Sequence, residues 1–600
     1  IFVPLPQSGE IELTDLILKY DDLSAFKAKR NFEVLVNDRT AATVPLEGNG
    51  SDRSLRVPLA GVVERDGFIK LAFLYSGAAT PDRCIDVRYV GDSLTIRPET
   101  RINVAFDPTK LQDVTTIAAL MPRDVTVLVP DRALSASEIA AALTVARSLN
   151  VTGRRPEFSN GAPPTAETAD ADGHRYWTRG TIVIGAPYTG AIPGNSNNFL
   201  PGMLSAVRIG GMPALLLTDV STSLRAARLL GAPSLAAARG LTSIAVAEVS
   251  KTELSAERVT FDQLGVRPPA VDVYGRAELN AAVDMRELPA NTQISRLALD
   301  VRVAPDGAGD KAVVSLFING TFLSSAVAET AGPTHLEQSL PDGLAGTVAN
   351  ITIVVQRRSA AGDCRFEPQG YPAQVLGSSA VILLQAGTPH DFGDLATRWT
   401  NGIEVLVPRS TSDHPLHDLA LLSNMLSALS NQIAPVAVRF ADAGAVPSAP
   451  FIAVSNTPPQ GAKPRVRFDR GQVAVKDRSG RTLLDLGGFN KGAVAQLVEA
   501  NGQPGIWVKG LSADGQLPTP AALKLDRGDV AFIDRSGVAF AMSTMRDTLV
   551  MIAYPEQTSW TTVSARFRSW IIGGFWILAT IAFLFALQSM LRRRAHKTEE

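Results

Sequence analysis

The sequence repeats itself, and that constrains the fold more than any other feature. FEVLVNDR, Phe32 to Arg39, resembles VSLFINGTF, Val314 to Phe322; setting Asn37 on Asn319 gives an offset of 282. IKLAFLYSGAATPDRCIDVR resembles ITIVVQRRSAAGDCRF, with Cys84 on Cys364 and an offset of 280. DVTVLVP, ending at Pro130, resembles GIEVLVP, ending at Pro408, an offset of 278. LSAVRIGGMPALLL resembles QVAVKDRSGRTLLDL, with Gly211 on Gly480 and an offset of 269. The order is kept and the offset drifts slowly, so one unit of about 280 residues occurs twice. At roughly 150 residues per domain, the 600 residues hold about four domains. The duplication makes them two copies of one pair.

The first member of each pair reads as all-β. IELTDLILKY, FEVLVN and IKLAFLY in one copy, and LALDVRV, AVVSLFI and ITIVVQ in the other, are β-rich runs, many of them alternating. Turn clusters such as NDR, EGNGS and APDGAGD separate them. Strands of this kind predict a β-sandwich, jelly-roll-like, over residues 1–104 and again over 269–388. The second member alternates strands with helices. VTVLVP leads into SASEIAAALTVARSLN, with Ser135 or Ser137 as its N-cap, and IEVLVP leads into HDLALLSNMLSALSN. This predicts flavodoxin-like α/β domains with parallel sheets over 105–268 and 389–548. The polar stretch Gly153 to Tyr176 reads as a surface excursion.

Composition narrows the function. The 58 Lys+Arg and 59 Asp+Glu cancel, which leaves no broad electrostatic footprint for nucleic acid. Two cysteines and six histidines exclude a zinc-cluster protein or a disulfide-dense scaffold. The first strand of each α/β domain ends in Leu-Val-Pro with no Gly-rich loop after it, so a phosphate cradle is missing and no cofactor is expected. Gly91-Asp92-Ser93-Leu94 matches the nucleophile block of one esterase family, but no His in the chain follows an Asp by three residues to supply the base. Asp413-His414-Pro415-Leu416-His417-Asp418 has metal-like spacing and reads as a helix cap; no metal is expected there. Arg398-Trp399 lacks the Gln of a processive glycosyltransferase, since position 395 is Leu. Arg97 and Arg101 match a spacing used by cyclic-di-GMP receptors without the downstream partner motif. No catalytic residue is assigned.

The C-terminus points to a bilayer. Ile571 to Leu591 is 21 residues without a charge, enough to span a hydrocarbon core of about 30 Å as a helix. Arg592, Arg593, Arg594 and Lys597 follow, in the tail 592–600, and fix that tail in the cytoplasm. In the segment 549–570, Trp560, Val563, Phe567 and Trp570 recur on one helical face, with Arg566 and Arg568 off it, as in an interfacial helix. The chain opens on Ile1 and reads as a mature end, with the bulk of the protein in a bacterial periplasm. Cys84 and Cys364 hold equivalent repeat positions, and a pseudo-twofold packing of the copies would let them form one disulfide.

This layout resembles the periplasmic regulatory subunit of bacterial cellulose synthase. The residues that carry the likeness are the two Leu-Val-Pro strand ends, the repeated Cys84 and Cys364 regions, and the Trp560 to Arg594 tail. The resemblance covers essentially the whole chain. It implies sandwiches similar to carbohydrate-binding modules in a non-catalytic subunit of an inner-membrane complex regulated by cyclic-di-GMP. Its implied partners are the catalytic membrane synthase, nascent β-1,4-glucan and the lipid bilayer. Tyr75, Tyr89, Phe366 and Tyr371, which flank the repeated Cys regions, become glycan-facing candidates, because sugar faces stack on rings. Two other readings stay open: a periplasmic polysaccharide hydrolase or esterase, and an anchored sugar-binding adhesin or sensor.

Overall fold

The structure, a computed structural model, describes residues 1–552 apart from 7–9, 25–27, 64–66, 79, 83–91, 98, 162–166, 170–174, 186–201, 233–234, 236–239, 246–253, 306–310, 342–343, 358–369, 430–432, 442–444, 470–471, 477–481, 488–491, 513–516, 521–522 and 545–549. The expected interfacial helix, membrane span and basic tail (Trp560, Val563, Phe567, Trp570, residues 571–591, Arg592, Arg593, Arg594 and Lys597) lie outside the described residues, as do Cys84, Cys364, Tyr89 and Phe366. Among the described residues no helix is long and apolar enough to cross a membrane.

The protein is mostly β-sheet and multidomain, with two β-sandwiches of one topology. In the first, Phe2–Pro4, Phe68–Ala78, Lys29–Val36 and Arg39–Leu46 form one sheet, in that order. The long strand Glu12–Ser24 pairs with Gly50–Pro58, Asp92–Ile96 and Arg101–Ala105 to form the other. In the second, Arg276–Asp284, Val348–Gln356, Val313–Ile318 and Thr321–Val327 repeat the first sheet, and Thr292–Val303 is the long strand of the other. Here Arg258–Thr260 also joins, pairing with Ala380–Gln385, so this sandwich begins upstream of 269. Alternation sets the layers: Val314, Leu316 and Ile318 are buried between the sheets while Val313, Ser315 and Phe317 face outward. The duplication holds at the level of single atoms. Asn37 and Asn319 both adopt positive φ in a hairpin turn. Each side-chain oxygen accepts from an equivalent backbone N–H, of Lys70 at 2.9 Å and of Asn350 at 3.1 Å.

The α/β sheets correct the expectation of flavodoxin-like, all-parallel domains. In the first, Arg155–Asn160, Asp124–Val129, Arg179–Ile184 and Met212–Leu217 run parallel in that order; Met203–Ile209 and Ser243–Ala245 then continue the sheet antiparallel. The second repeats this with Val436–Phe440, Ile403–Val407, Phe451–Val454 and Gln503–Gly510 parallel, then Ala493–Ala500 and Val530–Asp534 antiparallel. The cause is local. Gly210-Gly211 and Asn501-Gly502 take positive φ and close tight hairpins, and a two-residue connection can only join antiparallel neighbours.

These hairpins also correct the fourth repeat match. Met203–Ile209 with Met212–Leu217 corresponds to Ala493–Ala500 with Gln503–Gly510, whereas Gln472–Lys476 and Thr482–Gly487 belong to a separate three-stranded sheet. Part of the expected surface excursion is also a strand, since Arg155–Asn160 pairs in parallel with Asp124–Val129.

Two helices join the copies. Ala136–Val151 opens on a capping box, Ser135 N–H donating to Glu138 at 2.9 Å and Glu138 N–H to Ser135 Oγ at 3.3 Å. It is apolar on nearly every side because it is buried on nearly every side. Its repeat equivalent, Pro415–Leu429, packs against it, and one apolar core runs through both α/β domains. The contact is close to self-complementary. Leu134 N–H donates to Ser412 O at 3.0 Å and Ser412 Oγ to Leu134 O at 2.8 Å, and these residues differ by 278, the offset that relates Pro130 to Pro408. Equivalent surfaces therefore meet about a pseudo-twofold axis, as in an isologous dimer.

Candidate glycan-binding face

The outer face of the second sandwich carries a row of side chains that crosses four strands. Register places Asn280 beside Thr352, Thr352 beside Phe317, and Phe317 beside Phe322. Three interstrand spacings make this row about 14 Å long. Phe322 is 54% exposed, and its ring meets Phe317 edge-on at 5.5 Å and 66°. That pairing suits the ring quadrupoles and holds Phe322 upright as a platform. Thr352 Oγ1 donates to Asn280 Oδ1 at 2.9 Å, which leaves the Asn280 amide N–H groups to donate outward. In the next row of the same face, Val354 is buried between Glu278 and Ser315. At one margin, Asn350 is oriented by Asn319, whose Oδ1 accepts from the Asn350 amide at 3.0 Å. At the other, Arg276 and Glu278 neutralise each other in an ion pair. The face is therefore aromatic at one end, hydrogen-bonding at the other and electrically balanced. It can hold a neutral, flat, polyhydroxylated ring or chain. The row itself contains no titratable side chain, and its one hydroxyl, Thr352, donates to Asn280.

The first sandwich does not repeat this row. At the equivalent positions stand Thr40, Leu35 and Ala72, without a ring or, at the third, a hydroxyl.

Of the aromatic residues singled out in the sequence, Tyr75 and Tyr371 sit elsewhere, while Tyr89 and Phe366 lie outside the described residues. Tyr75 is half-buried against the first-sandwich core, its hydroxyl beside the Arg30 guanidinium. Tyr371 has the Arg357 guanidinium 3.7 Å from its ring centroid, so one face is covered by a cation–π contact. Asp413 and His414 lie at a helix junction: Ser410–Asp413 is one turn, Pro415 opens the next helix, and Thr411 donates to Asp418. Among the described residues no cluster of His, Cys, Asp and Glu could hold a metal ion. Trp399 is fully buried.

One further cluster has the residue types of a hydrolase. His335 Nδ1 lies 2.6 Å from Asp300 Oδ1, and Ser378 Oγ donates to Asp300 Oδ2 at 2.5 Å. In a catalytic triad the imidazole stands between the hydroxyl and the carboxylate. Here the carboxylate stands between them, so the imidazole is not the partner of the serine proton.

No protein-family model and no curated protein matches the chain. Among solved structures it is similar to an acetyl xylan esterase from Butyrivibrio proteoclasticus, at 10% identity and a TM-score of 0.12, over 26% of this chain and 34% of that one. It is similar to a carbohydrate-binding module in complex with β-1,4-galactotriose, at 12% and 0.13, over 19% and 68%. A family two carbohydrate esterase from Clostridium thermocellum, in complex with cellohexaose, matches at 9% and 0.12, over 33% and 65%. The chain spans about a third of the length of the first of these. At such scores the likeness decides neither fold nor activity.

Proposed function

We propose that this chain is a non-catalytic, membrane-anchored accessory subunit of a bacterial cellulose synthase, and that the outer face of its second sandwich receives nascent β-1,4-glucan. The Asn280–Thr352–Phe317–Phe322 row carries the reading. An upright ring stacks on the C–H face of a sugar, and amide and hydroxyl groups in line with it meet the equatorial hydroxyls. Charge balance at the margins suits a neutral polymer. The resemblance in layout supplies the partner, a polytopic glycosyltransferase braced through residues 549–591. In this reading the bulk of the chain is periplasmic and the basic tail cytoplasmic.

Binding of cello-oligosaccharides to the full chain in detergent, followed by calorimetry, tests the site. Phe322→Ala should weaken binding about tenfold, the equivalent of ~1.4 kcal/mol. The exposed ring can be removed without opening the core. Unchanged affinity would sink the assignment of this face. Purification from native membranes tests the partner: a large polytopic glycosyltransferase should copurify, and its absence would refute the synthase assignment.

A further inference from the structure

The two sandwiches are mounted differently on otherwise equivalent α/β domains. In the second copy the joint is the segment 391–400. Phe392, Leu395 and Trp399 are buried in the α/β core, while Ala396, between them, is buried in the second-sandwich core. The same segment is tied by hydrogen bonds in both directions. Thr397 Oγ1 donates to Thr292 O at 2.7 Å and Asn291 N–H to Thr397 O at 3.0 Å, on the sandwich side. Phe392 N–H donates to Gly528 O at 2.8 Å, on the α/β side. One short segment is thus a shared plug of two cores.

The equivalent segment of the first copy is the helix Val114–Leu120, whose N-cap Asp113 matches Asp391 at the 278 offset. Its buried apolar residues Val114, Ile117 and Ala118, with the C-cap Met121, join the α/β core, and among the described residues none joins the first-sandwich core. The turn residue Glu10, with positive φ like Asn291, meets its α/β domain through an ion pair with Lys110 at 2.5 Å. Both side chains of that pair are more than half exposed. Exposed pairs hold weakly and are screened by salt. Phe106, just past the last sandwich strand, is anchored in the α/β core and stacked edge-on against Trp177. A second charge pair crosses the same boundary, Glu99 of the sandwich lying within electrostatic reach of Arg123 of the α/β domain. The covalent joint is the chain between Ala105 and Phe106.

We infer that the first sandwich is a hinged arm, while the second sandwich and both α/β domains move as one body. The arm pivots near Ala105–Asp107, and surface charges, the Glu10–Lys110 pair with Glu99 and Arg123 beside it, latch it. A periplasmic partner or the growing polymer could shift the arm without disturbing the aromatic row, which is fixed to the body.

Single-molecule energy transfer on the full chain tests this. Dyes are placed through non-natural amino acids at exposed Thr43 and Arg225 for the first copy, and at exposed Ser325 and Glu499 for the second. Both cysteines are kept reduced, so that a Cys84–Cys364 bridge does not itself tether the arm. The first pair should give a distance distribution about twofold broader than the second. Raising salt from 0.1 M to 1 M, which shortens the screening length from about 10 Å to about 3 Å, should broaden the first pair only. Lys110→Glu should do the same at low salt. Equal widths for the two pairs, or a first pair insensitive to both salt and Lys110→Glu, would overturn the inference.

Discussion

Asp391 sits at the joint between the second sandwich and its α/β domain, and its titration should be visible in stability. Burial pushes its carboxyl up from the usual 3.8 to about 7, helped by the neighbouring Asp394 carboxylate. The native state therefore holds a proton that the unfolded chain releases near pH 4. Its contribution is fully present below about pH 4 and is lost as pH rises through about 7. At ~1.4 kcal/mol per pH unit, the ceiling is ~4 kcal/mol. Asp391 keeps part of its surface in water, so ~2 kcal/mol is the working expectation. Asp391→Asn isolates this contribution. An amide oxygen still accepts from the Asp394 N–H, at 3.2 Å in the parent, but no charge has to be buried. The assay compares thermal midpoints of parent and variant from pH 4 to 8. Burial also raises Asp418 and Asp529, and these add to the pH slope of both proteins, so the difference between the two reports Asp391 with the carboxylates coupled to it, Asp394 and Asp526. The variant should match the parent at pH 4 and exceed it by ~2 kcal/mol at pH 8. A difference that is flat with pH, or that grows toward acid, would refute the reasoning.

Two further tests address packing. Asp22 and Arg30 form an ion pair in the first sandwich with side chains 0% and 1% exposed, and Arg30 also donates to Gly48 O at 2.6 Å. Asp22→Asn strands a buried guanidinium and should destabilise that sandwich by ~3–5 kcal/mol in denaturant melts; a loss below ~1 kcal/mol would contradict the burial. The second sandwich has buried Ala312 where the first has Arg30, so no such pair can form there. Gly505 passes so close to the adjoining strand that a Cβ would lie 2.5 Å from the Phe451 carbonyl oxygen. Gly505→Ala should cost ~1–3 kcal/mol or more and lower the melting midpoint, and a neutral result would mean the two strands can separate.

Much of the fold was legible because strands and helices have different periods. The Ser135 cap, the helix after each Leu-Val-Pro strand and the paired sandwiches follow from short-range chemistry that a linear reading can follow. Where sequence and structure differ, the cause is physical. QVAVKDRSGRTLLDL resembles LSAVRIGGMPALLL because any β-hairpin has two alternating runs around a turn, whichever sheet it joins. Arg155–Asn160 is polar because an edge strand has a solvated side, so its pattern resembles that of a loop. The aromatic row is not legible in VSLFINGTF. In a run as apolar as VVSLFI, alternation assigns Phe317 and Leu316 to opposite faces without saying which face meets water.

The duplication, the sandwich and α/β pairs, and the places where the chain must turn are written in linear order, since they depend on neighbours within a few residues. Long-range packing supplies the rest. It put equivalent surfaces of the two α/β domains in contact, because helices apolar on all sides can be satisfied only by burying each other. It turned Phe317 and Phe322 outward beside Thr352 and Asn280, residues drawn from four strands spread over 73 positions, from 280 to 352. It also gave the second sandwich a core segment shared with its α/β domain that, among the described residues, the first sandwich lacks, a difference between copies that no repeat pattern contains.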